Sequence, residues 1–136
     1  MSNSKTLAKD VPSREYEFSV EVEGKVSRTT YSGDFKFKIP NLKTKALADK
    51  KRAELNGGLD LALDVSVLEL HYMIAFLRFT LSETPPWWRE ADYGYDLEDF
   101  NVVKKVYDEV EKYQESWMET VWGKDEEDGE EAEKGE

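Results

Sequence analysis

Few side chains in this sequence could do acid–base or nucleophilic work. His71 is the single histidine, there is no cysteine, and the carboxylates are abundant but scattered. His71 lies in the middle of an apolar run, LDLALDVSVLELHYMIAFLRFTL, and a general base needs a nucleophile or an orienting carboxylate within hydrogen-bond reach. Asp64 and Arg78 fall a whole number of helical turns away only by loose counting, so His71 is expected to be a core or interface histidine. Asp96 and Asp99 have the residue types of a glycosidase pair, but they precede a helical pattern and are expected to cap it. DEEDGEE lacks calcium-loop spacing, and neither HExxH nor a Cys/His cluster occurs. Gly57-Gly58 belongs to no phosphate-binding glycine motif and is expected to close a helix. The chain is therefore expected to be non-enzymatic, with no catalytic residue, cofactor or metal.

What remains is a chemistry of contact. TPPWWREADYGY sets Trp87, Trp88, Tyr93 and Tyr95 beside two prolines. Trp, Tyr and Arg dominate interface hot spots. Adjacent tryptophans admit two readings: both plug the core between two helices, or one ring turns in and the other meets a partner. Leu70, Met73 and Phe76, from the apolar run, complete the expected partner contacts, because a helix apolar on most sides belongs at a molecule's centre or at an interface.

The elements that must position these residues follow from periodicity. In EYEFSVEVE, Tyr16, Phe18, Val20 and Val22 alternate with polar residues, and Tyr31, Phe35, Phe37 and Ile39 do so in the next segment. Gly24-Lys25 separates the two, which predicts an antiparallel hairpin with a bulge at Ser32-Gly33. Pro40 ends the second strand. Asn41 caps a basic helix that runs to Asn56-Gly57-Gly58 on a thin stripe of Leu42, Ala46 and Ala53. A long apolar helix, Leu59 to Leu81, is stopped by Pro85-Pro86. The aromatic loop follows, and then a final helix with Val103, Val106, Tyr107, Val110, Tyr113, Trp117 and Val121 at spacings of three and four, ended by Gly123. The expected fold class is α+β: an N-terminal β-hairpin packed on three α-helices. Residues 1–14 are expected to be a flexible lead-in, 15–123 a single domain, and 124–136 a disordered acidic tail.

A chain of 136 residues has room for one such domain. Its net charge is −11, of which residues 124–136 contribute −6. That balance argues against nucleic acid as a partner, since binding its backbone relies on Lys and Arg. The run from Leu59 to Leu81 contains Asp60, Asp64, Glu69, His71 and Arg78, which argues against a membrane span. The polar N-terminus does not resemble a signal peptide, and the missing cysteines fit a reducing cytoplasm.

Four stretches together resemble the small tail assembly chaperones of long-tailed bacteriophages. They are YSGDFKFKIP leading into a helix, LNGG closing it, LSETPPWWRE after a mostly apolar helix, and DLEDFNVVKKVYDEVEKYQESW at the end. They span about residues 16–122. The resemblance implies a factor in the host cell cytoplasm that coats the helical tape measure protein, keeps it soluble and helps recruit tail tube subunits. It also implies a longer, frameshifted form, whose extension would begin near Gly123-Lys124. The apolar helix would lie along its client in the helix-in-groove manner, with several copies associating. Two other readings of these residues stay open. One is a virion component (neck, tail-completion or head-decoration protein) that uses the hairpin for β-augmentation. The other is an acidic inhibitor of a host protein.

Overall fold

The period-two segments pair as their alternation predicts. In a computed structural model, which describes the backbone of residues 12–134 and the side chains of residues 12–123, β1 (Glu15–Glu23) runs antiparallel to β2 (Thr30–Lys38) in unbroken register. Tyr16 faces Phe37, Phe18 faces Phe35 and Val22 faces Tyr31, which gives one continuous apolar face. On the wet face Lys36 lies 3.5 Å from Glu15 and 3.8 Å from Glu17. Glu15 first, and then Glu83, raise the Lys36 pKa above the ordinary lysine value.

The bulge expected at Ser32-Gly33 does not form: Gly33 sits in register opposite Val20. Its missing side chain serves a close approach instead, since a Cβ there would stand 2.7 Å from two carbons of Pro85. The irregularity falls at Lys36/Phe37, where a third strand, β3 (Leu81–Glu83), joins to complete the order β1-β2-β3. Three residues are too short to carry an alternation signal, so β3 has no signature in the sequence.

Helix α1 (Leu42–Asn56) begins where Asn41 Oδ1 accepts the Thr44 N–H at 2.8 Å. It stops at Gly57, whose φ of 58° returns its N–H to the carbonyls of Ala53 and Glu54. It buries only Ala48 and Asn56 and packs mainly on α2 (Val65–Thr80). Helix α2 is shorter than expected. Leu59 to Leu63 fold as turns, with the N–H groups of Ala62 and Leu63 returning to the Leu59 carbonyl, and Leu59 and Leu61 stay exposed. An apolar run with nothing to pack against gains little from helix formation.

The aromatic stretch, expected as a loop, contains a short helix, α3 (Pro86–Glu90). Pro86 stands in its first turn, where a missing N–H costs nothing. The last helix, α4 (Phe100–Lys134), lays Val103, Val106 and Val110 into a core with Phe18, Val20, Phe35, Phe37, Met73, Ile74 and Leu77. The chain is α+β: a three-stranded antiparallel sheet with one face on the core built with α2 and α4, and α1 against α2.

Part of each expected terminal segment falls among the described residues. Residues 12–14 belong to the fold rather than to a flexible lead-in. The Arg14 carbonyl accepts the Ile39 N–H at 2.7 Å, the Tyr113 hydroxyl donates to the Ser13 carbonyl, and Trp117 Nε1 donates to the Pro12 carbonyl at 3.3 Å. The rest of the expected lead-in, residues 1–11, lies outside the described residues. Helix α4 continues past Gly123 and Gly129 to Lys134, because an isolated glycine weakens a helix without by itself ending it. The disorder expected for 124–136 concerns residues whose side chains lie outside those described. Among the described residues no helix is long and apolar enough to cross a membrane.

Candidate protein-binding groove

The residues with chemical potential are held in structural roles. His71 Nδ1 lies 2.8 Å from Asn56 Oδ1, and Nε2 lies 2.8 Å from the Tyr95 hydroxyl. Asn56 is itself oriented, because its Nδ2 donates to Asp60 at 3.3 Å. An amide oxygen only accepts, so the imidazole proton is inferred on Nδ1, with Nε2 accepting from Tyr95. Burial lowers the His71 pKa and favours that neutral form. The chain Asp60–Asn56–His71–Tyr95 ties the end of α1, the middle of α2 and the turn after α3 into one unit.

Asp99 precedes α4, and its carbonyl accepts the Val102 N–H at 3.0 Å. Its carboxylate, expected to cap the helix, serves the β1–β2 turn instead. Oδ1 accepts the N–H groups of Val26 and Ser27 at 2.7 and 2.9 Å, and Oδ2 accepts the Ser27 hydroxyl at 2.5 Å. The Ser27 hydroxyl first, with the two backbone donors, holds this buried carboxyl below the ordinary Asp value against the opposing effect of burial. Gly24 is needed beneath it, because a Cβ there would collide with the carboxylate. Asp96 is exposed, whereas Asp99 is buried in the turn.

The seven expected partner residues divide. Trp88 is 0% exposed and Met73 1%, so neither can meet a partner in this fold. Trp88 fills the core edge-on to Phe35 at 5.5 Å, and a Cβ on Gly94 would come within 2.6 Å of its ring. Of the two identical side chains, Trp88 plugs the core and Trp87 takes the rim. Trp87 is half-buried against Tyr31, its N–H donating to the Ser32 carbonyl at 2.9 Å.

Tyr93 lies half-buried under the Arg78 guanidinium, 3.7 Å from its ring centre. Tyr95, 37% exposed, spends its hydroxyl on His71. Three successive residues with positive φ, Asp92, Tyr93 and Gly94, bend the turn so that both tyrosines fold back onto α2. Leu70 is half-buried against the core, as is Phe76. Of the seven, Phe76 alone reaches the surface feature best suited to a partner.

That feature is a groove of about 600 Å³ between α2 and α4. Tyr72 and Phe76 form one side, and Tyr107, Gln114, Met118 and Trp122 the other. Much of this apolar surface is open: Tyr72 is 44% exposed, Met118 39% and Trp122 52%. Its floor is braced, with Tyr107 edge-on to Tyr72 at 6.3 Å and to Phe76 at 6.1 Å, and Phe76 against Phe37 of the core at 6.2 Å. Burial, then Tyr72 and Glu111, push the Tyr107 hydroxyl pKa up, so it stays a neutral phenol. A second hollow of about 200 Å³ shares Tyr72, Phe76 and Gln114 and extends the groove to α1 at Lys45, Asp49 and Arg52.

Four of the groove's apolar residues, Tyr72, Tyr107, Met118 and Trp122, were not among the expected contacts. For three of them the signal was present on the last helix: from Tyr107, Gln114, Met118 and Trp122 follow at intervals of seven, four and four. No family model, no curated protein and no solved structure matches this chain.

Proposed function

We propose that this chain is a non-enzymatic assembly chaperone that takes an apolar helix of a client protein into the groove between α2 and α4. The observation that carries this reading is the open row of Tyr72, Phe76, Met118 and Trp122 on a floor braced by the core. A fixed apolar channel between two helices suits the lateral docking of a third, as in other helix-in-groove recognition. Exposed aromatics in such a channel supply the anchors that dominate binding energy.

The resemblance over residues 16–122 supplies the client: the tape measure protein of a long-tailed phage, with the tail tube protein as a second partner and the host cytoplasm as the setting. A long, apolar-faced helical client would engage several copies along its length. The net charge of −11 would keep the loaded complex soluble.

Co-expression with a candidate tape measure protein tests the reading. The wild-type chain is expected to move the client into the soluble fraction, and a Met118→Ser/Trp122→Ser variant, folded by circular dichroism, is expected to lose that effect. Client solubility that does not respond to the wild-type chain overturns the proposal. Detection of the chain in purified virions by mass spectrometry would favour a structural component.

A further inference from the structure

The two sides of the groove differ in charge, and we infer from this which helix fits: an amphipathic client helix whose apolar stripe is bordered on one side by Lys or Arg, that border lying along α4. The inference rests on the groove being the client site. Glu111, Glu115 and Glu119 line the groove along α4 at four-residue intervals, a row about 12 Å long at the helical rise. None of the three has a salt-bridge partner among the described residues, whereas Lys104 and Lys105, one to two turns earlier, are paired with Asp108 and Glu109.

Like charges four residues apart weaken a helix in isolation; Lys112, beside Glu111 and Glu115, offsets part of this, and a basic partner along the row would offset more. Across the groove, α1 offers Lys45 and Arg52, and Arg52 is 3.6 Å from Asp49, so that wall is partly neutralised. The sequence beyond Gly123 holds eight more acids. A second copy is a poor occupant. Its α4 would set acid against acid, and its α1 offers only Leu42, Ala46 and Ala53 as an apolar stripe, with Asp49 interrupting it.

Two designed helical peptides with the same Leu/Phe stripe test this, one bordered on one side by Lys and the other by Glu, titrated calorimetrically against the full chain. The Lys-bordered peptide is expected to bind about tenfold tighter at low ionic strength, as a few exposed ion pairs allow. That preference should fade near 0.5 M salt, where charges are screened within a few Å. A Glu111→Gln/Glu115→Gln/Glu119→Gln variant should bind both peptides alike, and a Glu→Lys triple variant should reverse the order.

Equal affinity of both peptides for the wild-type chain overturns the inference and leaves the groove reading standing. Failure of both to bind, or binding of both that ignores Trp122→Ser, overturns the groove reading as well. Concentration-dependent self-association of the chain alone, abolished by Trp122→Ser, assigns the groove to a second copy and also overturns the inference.

Discussion

The first part of helix α4 and the last part of it with described side chains keep the same periodicity and have opposite relations to solvent. At the first end Val102, Val103, Val106 and Val110 are all but sealed, and Asp99 and Asn101 lock the helix start to the β1–β2 turn. At the other end Met118 and Trp122 stand open. Length explains the change. The eight residue steps of β1 span about 27 Å, and α4 needs roughly 18 residues, Phe100 to Trp117, to cover the same distance. Tyr113 stacks on Tyr16 near the start of β1 at 4.4 Å, and Trp117 reaches Pro12 just before it. Beyond that point the helix overhangs the sheet, and its apolar residues face the groove instead of the core. One end of the molecule holds the fold, and the other offers a surface.

That division can be broken most forcefully from the sealed end. Trp88→Ala empties the space between Phe35 and Gly94 and is expected to cost about 3–5 kcal/mol, as large-to-small aromatic changes in cores do. The melting temperature would fall on the order of 10–20 °C by circular dichroism. Trp88→Phe should cost less, partly because it removes an indole N–H with no hydrogen-bond partner among the described residues. A Trp88→Ala protein that melts within 2 °C of wild type, by the same scale, would show that this end does not carry the stability assigned to it.

The turn lock comes next in size. Asp99→Asn keeps the shape but loses the charge that gathers three donors, and it is expected to lower stability at pH 7 by less than Trp88→Ala does. The folded-state pKa of Asp99 is depressed below 3.8, so its contribution is present above that pH and lost as pH falls through the folded value. Wild type and Asp99→Asn should therefore converge in stability as the pH drops below about 3.8. A constant gap between them down to pH 2 would mean that the carboxylate's charge is not what holds the turn.

A smaller pH effect belongs to His71. Its folded-state pKa is lowered from 6.5 by burial, so the neutral side chain favours folding fully above that pH, and the contribution is lost as the pH falls below it. Compared with wild type, His71→Gln should flatten the fall of the urea midpoint as the pH drops below about 6.5. An equal slope in both proteins over that window would place the titration elsewhere.

The elements set by local chemistry could be read in the sequence. The β1–β2 alternation, the Asn41 cap and the Gly57 stop each depend on a few neighbouring residues. What could not be read depended on distance. Ser32-Gly33 looks like a bulge until Pro85, fifty residues on, is seen to need the space. Asp99 looks like a helix cap until the β1–β2 turn claims its carboxylate. Trp87 and Trp88 are equivalent in sequence, and only packing decides which one is sealed. The groove was hidden for a related reason: periodicity marks Met118 and Trp122 as apolar, but the point where the sheet runs out is a property of the fold.

The smallest stability effect is expected from that open end, and it sharpens the comparison. Trp122→Ser and Met118→Ser remove large apolar groups, yet both side chains already meet water and lie past the last residue that reaches the sheet side of the core. Each is expected to change folding stability by no more than about 0.5 kcal/mol, the range of surface substitutions, while lowering affinity for a helical client by tenfold or more, as loss of an interface anchor does. Chemical denaturation and calorimetry on the same protein samples separate the two. A stability loss comparable to that of Trp88→Ala would mean the overhanging part of α4 belongs to the core, and the boundary placed at Trp117 would have to move.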